Sequence, residues 1–390
     1  IGPILGGWAT TELTWRVVFV GEVVLVLIIL VMSRYLSDAV LEGRKPRLDF
    51  VGTVLSAVGL GLIVLGTLQS SVWGWIMPKN SPVEPFGFAL TPFVIGAGGV
   101  LVWGFVRWQR RRERVGSDPL VHLDLLKILP LRSGLMGLVS QNLILMGVFF
   151  SIPLYLQLVL GYDALETGLK MLPVSITMFL AAAAGSRLSS KFSIRTIVRA
   201  GLTTTLVGVV GLLLTVKPTL ADAQFAVAMA VLGIGMGLIA SQLGNVVQSS
   251  VDASGRGEAG GLQFTGQQLG SSLGVALVGA IVLSGLTSIF VSNIQEDERI
   301  SAEVSTQVSV AVESGLDFVA SEQIGAAATE AGLDQATTDA IVNDYESAQL
   351  QALKTGLLVT AFLALGSLAT TRGLPSEVAE PAADEPVAAA

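Results

Sequence analysis

Nine long apolar runs constrain this chain more than any other feature of its sequence. Each run has about 20 residues, the length that a helix needs to cross roughly 30 Å of hydrocarbon. None shows the strict alternation of polar and apolar residues that is typical of barrel strands. The sequence therefore predicts an all-α, polytopic membrane helix bundle. The predicted spans are residues 15–36, 50–69, 90–108, 134–160, 164–184, 197–216, 223–246, 262–286 and 351–371.

Composition agrees with this fold class and excludes several functions. Only 14% of the 390 residues are charged, against about 25% in soluble domains. The chain has no Cys and a single His, His122. These counts exclude disulfides and Cys-ligated metals, and they make His-based metal sites or catalysis improbable. The net charge of −7 does not favour nucleic-acid binding.

The basic residues predict the orientation of the chain. Most of the 23 Lys and Arg residues fall in alternate loops, within residues 34–47, 107–132 and 187–199 and at Arg256 and Arg372. Because cytoplasmic loops carry the Lys/Arg excess, we expect these loops and the C-terminus to be cytoplasmic. The four arginines Arg110, Arg111, Arg112 and Arg114 are interpreted as a topology determinant and an anchor for anionic lipids.

Residues 287–350 differ from the rest of the chain. They contain twelve acids and one base, Arg299, and they fall on the outer side of the predicted topology. Spaced apolar residues indicate short amphipathic helices. We interpret the segment as a solvated cap or spacer, with binding of a partner or gating of a substrate as the alternative. Residues 372–390 are expected to form a disordered tail.

Five short motifs occur in order along the chain. They are Gly2-Pro3-x-x-Gly6-Gly7, Trp15-Arg16 with Phe19, Leu48-Asp49-Phe50-Val51-Gly52, Pro153-Leu154-Tyr155-Leu156-Gln157 followed by Gly161-Tyr162, and Gly255-Arg256-Gly257-Glu258-Ala259. Their order and spacing resemble the fourteen-helix drug:proton antiporter branch of the major facilitator superfamily. In that branch the first motif is the antiporter motif.

The resemblance implies a domain organisation. Residues 1–36 would end an N-terminal six-helix bundle whose helices one to four are absent, so we expect the chain to be truncated at its N-terminus. Residues 37–133 would be two extra central helices with basic cytoplasmic loops. Residues 134–371 would form the C-terminal six-helix bundle, including the acidic insertion 287–350. Arg187, Lys191 and Arg195 would belong to a degenerate cytoplasmic gating loop, in which Ser190 and Ser193 replace the usual Asp and Gly.

The resemblance also implies a function. It indicates a secondary transporter of the plasma (inner) membrane that exports small molecules, with drugs as one candidate class, by proton-coupled antiport and alternating access. Such a protein is not an enzyme, needs no cofactor other than a proton gradient, and is expected to be a monomer. The alternative is a non-transporting receptor or assembly scaffold that uses the acidic extracellular loop.

Polar residues inside the predicted spans are the candidate site. An ionisable residue within a span indicates function, so Glu22 is the candidate for proton coupling. Other polar side chains could line a substrate cavity, or they could form hydrogen bonds between helices. The cavity candidates are Gln141, Asn142, Gln242, Asn245, Gln263 and Gln267. Asp49, at the start of a span, is expected to cap the free N–H groups of its helix.

Overall fold

The protein is an assembly of helices. A computed structural model describes residues 6–35, 48–252, 255–312 and 315–377, and none of these residues lies in a strand. The twelve α-helices of the described residues are α1 Trp15–Ser33, α2 Phe50–Trp73, α3 Thr91–Arg114, α4 Leu129–Leu154, α5 Ala164–Lys170, α6 Leu172–Leu188, α7 Ile194–Thr215, α8 Asp222–Ser249, α9 Arg256–Glu296, α10 Ala302–Ala311, α11 Ser321–Glu330 and α12 Gln335–Ser367.

Local sequence fixes where several helices begin. Asp49 caps α2 by accepting a hydrogen bond from the N–H of Gly52 at 3.0 Å. Asp163 and Glu166 form a reciprocal capping box at α5, and Ser193 caps α7. Such side chains satisfy N–H groups that have no partner within the helix. The predicted cap at Asp49 is therefore confirmed.

All nine predicted spans are confirmed as helical segments that are long and apolar enough to cross a membrane. Several predicted ends are wrong. The fourth span begins at residue 129 rather than 134, the eighth runs from 256 to 296 rather than 262 to 286, and the last begins at 335 rather than 351. The reason is that apolarity marks the part of a helix that fits the hydrocarbon, whereas the helix itself continues through polar residues until a breaker ends it.

The described residues divide into two compact units. The first contains the described residues within 1–122, 152–172 and 283–352. In it, α2 and α3 pack with their backbones in contact, since a Cβ on Gly98 would lie 2.6 Å from the carbonyl oxygen of Gly59. Gly7 packs in the same way against the backbone of Ala164 at the start of α5. None of the residues of α1 is buried.

The acidic segment lies in the first unit and is ordered around Tyr345. This side chain is fully buried, and its ring meets that of Phe290 edge to face at 5.5 Å. Its hydroxyl accepts a hydrogen bond from the N–H of Val319 at 2.9 Å and lies 3.0 Å from the carbonyl oxygen of Asp317. The short helices α10 and α11 agree with the amphipathic helices expected from the sequence.

The second unit contains the described residues within 123–151, 173–282 and 353–390. Its tightest packing is between α7 and α8, where glycines let the two backbones touch. A Cβ on Gly208 would lie 2.6 Å from the backbone nitrogen of Leu232, and one on Gly235 would lie 2.5 Å from that of Thr205. Small residues at such contacts are the usual means of helix association in membranes, because they allow close van der Waals packing.

Candidate functional site

Three helices of the second unit bring polar side chains together. On α9, Gln263, Gln267 and Ser271 are spaced by four residues and therefore share one face. Ser271 donates a hydrogen bond to the Oδ1 atom of Asn142 on α4 at 3.4 Å. Gln248 on α8 donates to the Oε1 atom of Gln263 at 3.3 Å. We call these five half-buried residues the polar stripe.

Glycines place the polar stripe close to the neighbouring backbones. A Cβ on Gly270 or Gly274 would lie 3.0 Å from the Cα atom of Val139 or Leu143, respectively, so α9 touches α4 directly. Gly244 on α8 leaves room for the amide of Gln263, whose Nε2 atom would be 3.3 Å from an added Cβ. The stripe thus presents amide donors and acceptors beside rigid helix contacts.

The six cavity candidates do not share one environment. Asn142, Gln263 and Gln267 belong to the polar stripe, and Asn245 is exposed. Gln141 is buried and its Nε2 atom donates to the carbonyl oxygen of Met236 at 3.3 Å. Gln242 is also buried and donates to that of Gly185 at 2.8 Å. These two amides therefore form hydrogen bonds between helices, as Asn142 and Gln263 of the polar stripe also do, which was the alternative interpretation.

The remaining predicted residues lie elsewhere. Glu22 lies in the middle of α1, where it is exposed. Of the antiporter motif, Gly6 and Gly7 are described, and only Gly7 is buried; Gly2 and Pro3 lie outside the described residues. Arg187 and Lys191 are exposed around the end of α6.

Arg195 has partners that the sequence did not predict. Its guanidinium donates from Nε and Nη2 to the carbonyl oxygen of Leu374 at 2.9 and 2.7 Å, and its N–H donates to that of Pro375 at 3.1 Å. One turn later, Arg199 donates to the hydroxyl of Thr371 at 2.9 Å. The two arginines therefore fasten the segment after α12 to the start of α7.

Asp49 is the centre of a second polar cluster, in the first unit. Besides capping α2, this buried carboxylate accepts hydrogen bonds from the indole of Trp108 at 2.9 Å and the amide of Gln109 at 2.7 Å. Arg112 lies 3.7 Å away as an ion pair. Burial acts to raise the pKa of Asp49, but the hydrogen bond from Gly52, those from the two side chains and the nearby guanidinium outweigh it, so the pKa lies below its ordinary value of 3.8.

The other side of Gln109 extends this cluster to the loop after α3. Its Oε1 atom accepts a hydrogen bond from the N–H of Leu120 at 2.8 Å, and Arg112 donates to the carbonyl oxygen of Asp118 at 2.6 and 3.0 Å. The sequence predicted only the cap. The signal that was missed is a glutamine in the arginine-rich end of α3, next to a tryptophan whose N–H needs an acceptor when buried.

Comparison with known proteins places this architecture in a family. The sequence model described as Major Facilitator Superfamily matches residues 1–275. The chain is 27% identical over 293 residues to the Tetracenomycin C resistance and export protein of Streptomyces glaucescens, covering 74% of this chain and 51% of that protein. It is 27% identical over 373 residues to the Multidrug efflux pump LfrA of Mycolicibacterium smegmatis, covering 95% of this chain and 67% of that protein.

A third relative extends the comparison to another exporter. The chain is 29% identical over 298 residues to the Cephamycin export protein CmcT of Amycolatopsis lactamdurans, covering 73% of this chain and 56% of that protein. The chain spans about half the length of several of the curated relatives that it matches. These relatives are transporters rather than enzymes, and transporters of this kind are driven by an ion gradient without a cofactor. With nine helical segments able to cross a membrane in its described part, the chain is a multi-pass membrane protein of the major facilitator superfamily.

Proposed function

We propose that the protein exports small molecules across the plasma membrane by proton-coupled antiport and alternating access, as a member of the fourteen-helix branch. The observation that carries the proposal is the likeness to transporters whose names state export or multidrug efflux. The domain organisation expected from the motifs, with a cytoplasmic C-terminus and a monomeric protein, belongs to the same proposal.

The polar stripe is the proposed contact for substrate. Its amides and hydroxyl lie on helices that are able to cross a membrane, and such groups in transporters typically mark the substrate site. Gln267 is its central member on α9, flanked one turn away on either side by Gln263 and Ser271. Uncharged donors and acceptors of this kind suit an uncharged or mostly apolar substrate that carries a few polar groups.

Glu22 is the proposed carrier of the coupled proton within this chain. A carboxyl group can exchange a proton with the aqueous phases on the two sides in turn, and it can change the binding of substrate through its charge. No other Asp or Glu lies within α1, the helix that follows the antiporter motif. The substitution Glu22→Gln keeps the size of the side chain and removes its titration.

The experiment is transport of a substrate panel by the protein reconstituted in lipid vesicles with an imposed pH gradient. We expect Gln267→Leu to lower substrate-dependent proton flux at least about tenfold, the loss expected when a polar partner of a substrate is removed. Gln268→Leu is the matched control, because Gln268 is the exposed neighbour on another face of α9. We expect Glu22→Gln to keep substrate binding and lose the response to the pH gradient.

Three results would contradict the proposal. Equal flux in the Gln267 and Gln268 variants would remove the polar stripe from the transport pathway. A pH response that survives in Glu22→Gln would remove this carboxyl from coupling. Flux that does not saturate with substrate would indicate a channel instead.

A further inference from the structure

A basic pocket lies at the C-terminal end of α3 in the first unit. It has a volume of about 830 Å³. Four of its lining residues, Arg107, Arg110, Arg111 and Arg114, are spaced by three or four residues and share one face of the helix. All four are exposed. Among the described residues, the lining of this pocket contains no carboxylate.

The four lining arginines differ from their neighbour Arg112 in the contacts that they make within the first unit. That residue is engaged by Asp49 and by the carbonyl oxygen of Asp118, and it does not line the pocket. No ion pair within the described part of the chain involves the four lining arginines. Like charges held this close repel one another, so an anion between them would be stabilising.

The remaining lining is apolar and aromatic. Trp103 lies one turn before Arg107, whose guanidinium carbon sits 4.9 Å from the centre of its ring. This cation–π contact orients the guanidinium toward the pocket side of the helix. Leu55 on α2 and the exposed ring of Trp103 continue the lining along the apolar parts of the two helices. The pocket is thus charged at one end and apolar at the other.

We propose that this pocket binds the head group of an anionic phospholipid, with its phosphate on the arginines and the upper part of an acyl chain along Leu55 and Trp103. Arginine presents a planar set of donors that matches phosphate oxygens. The position at the end of two membrane-spanning helices, where an aromatic residue marks the interface, favours a lipid over a free phosphate ion. The site shares no residue with the polar stripe and does not depend on the transported substrate.

The test is native mass spectrometry of the purified protein in detergent, titrated separately with phosphatidylglycerol, phosphatidylcholine and inorganic phosphate. We expect the wild type to retain phosphatidylglycerol at least about tenfold more tightly than phosphatidylcholine. The double variant Arg107→Gln with Arg111→Gln should lose this preference, since each charge-assisted hydrogen bond contributes substantially to binding. Because both side chains are exposed, the fold should survive the change.

The matched control removes two exposed basic residues elsewhere, with Arg187→Gln and Lys191→Gln. It should keep the preference within about twofold. A second variant, Trp103→Leu, should weaken the binding of phosphatidylglycerol by about threefold while leaving every charge in place. An equal loss in the control would indicate general surface charge, and inorganic phosphate that competes as well as the lipid would indicate a site for free anions; either result would overturn the proposal.

Discussion

The substitution Asp49→Ala tests how much one buried carboxylate contributes to the packing of α2 against α3. In the wild type its two oxygens accept hydrogen bonds from the N–H of Gly52, the indole of Trp108 and the amide of Gln109 at 2.7 to 3.0 Å. Alanine would remove the helix cap and leave both side-chain donors without their acceptor. Gln109 is fully buried, so water cannot easily replace the lost partner.

The magnitude follows from these contacts. Loss of the cap costs about 1 kcal/mol, the unpaired amide of Gln109 about 2 kcal/mol, and the half-buried indole about 1 kcal/mol. Alanine also removes the cost of burying a charge, which offsets a fraction of this loss. We therefore expect the free energy of unfolding to fall by about 3 kcal/mol. In a chain of this size that corresponds to a fall in melting temperature of about 4 °C.

The assay is thermal unfolding of the purified protein in detergent, with the folded fraction measured by size-exclusion chromatography after heating. Asp163→Ala is the matched control, because Asp163 also caps a helix but is exposed. It should lower the melting temperature by only about 1 °C, which corresponds to the cap alone. Equal shifts in the two variants would contradict this prediction, since they would mean that the hydrogen bonds from Trp108 and Gln109 contribute nothing.

The stability difference between the wild type and Asp49→Ala should also depend on pH. The pKa of Asp49 is lower in the folded protein than its ordinary value of 3.8, so the unfolded chain binds the proton more readily. The stabilisation is therefore fully present above about pH 5 and is lost as the pH falls through the pKa of the folded state. The difference between wild type and Asp49→Ala should stay constant from about pH 5 to 8 and shrink below about pH 4. A stability difference that grows as the pH falls would contradict a lowered pKa of Asp49 in the folded protein.

Two further substitutions test helix packing and the acidic segment. Gly235→Ala should lower the melting temperature by about 1 to 4 °C in the same assay, because its Cβ would meet the backbone of α7. Gly61→Ala, whose Cβ would meet nothing within 4 Å, should change it little. Tyr345→Phe should destabilise the acidic segment by about 1 to 2 kcal/mol, because the N–H of Val319 loses its acceptor. Faster hydrogen exchange at residues 315–345 would report this loss, whereas Tyr35→Phe, at an 86% exposed position, should leave exchange unchanged.

The sequence could predict the spans because the thickness of a bilayer sets the length of an apolar helix. It could not predict all of their ends. The first part of α12 is polar on average, yet Ile341, Tyr345 and Ala348 are buried at spacings of four and three residues. That helical spacing is present in the sequence, and a search for amphipathic periodicity would have extended the helix to residue 335.

The candidate site was predictable only in part, because the chemistry of a residue does not reveal the direction of its side chain. Gln141 and Asn142 are adjacent, yet one is buried against α8 and the other belongs to the polar stripe. The cap at Asp49 is a local interaction and was found. Its bonds to Trp108 and Gln109 join residues 59 and 60 positions apart, and no local pattern encodes such a pairing.

The attachment of the C-terminal segment has a consequence for how related sequences diverge. The guanidinium of Arg195 donates to the carbonyl oxygen of Leu374, and its backbone N–H donates to that of Pro375. Every amino acid possesses such a carbonyl group. Drift in the side chains of those two positions would therefore leave the acceptors in place, whereas replacing the arginine would remove every donor of its guanidinium. In homologues this attachment should be traceable by the arginine alone, even where the receiving stretch has become unrecognisable.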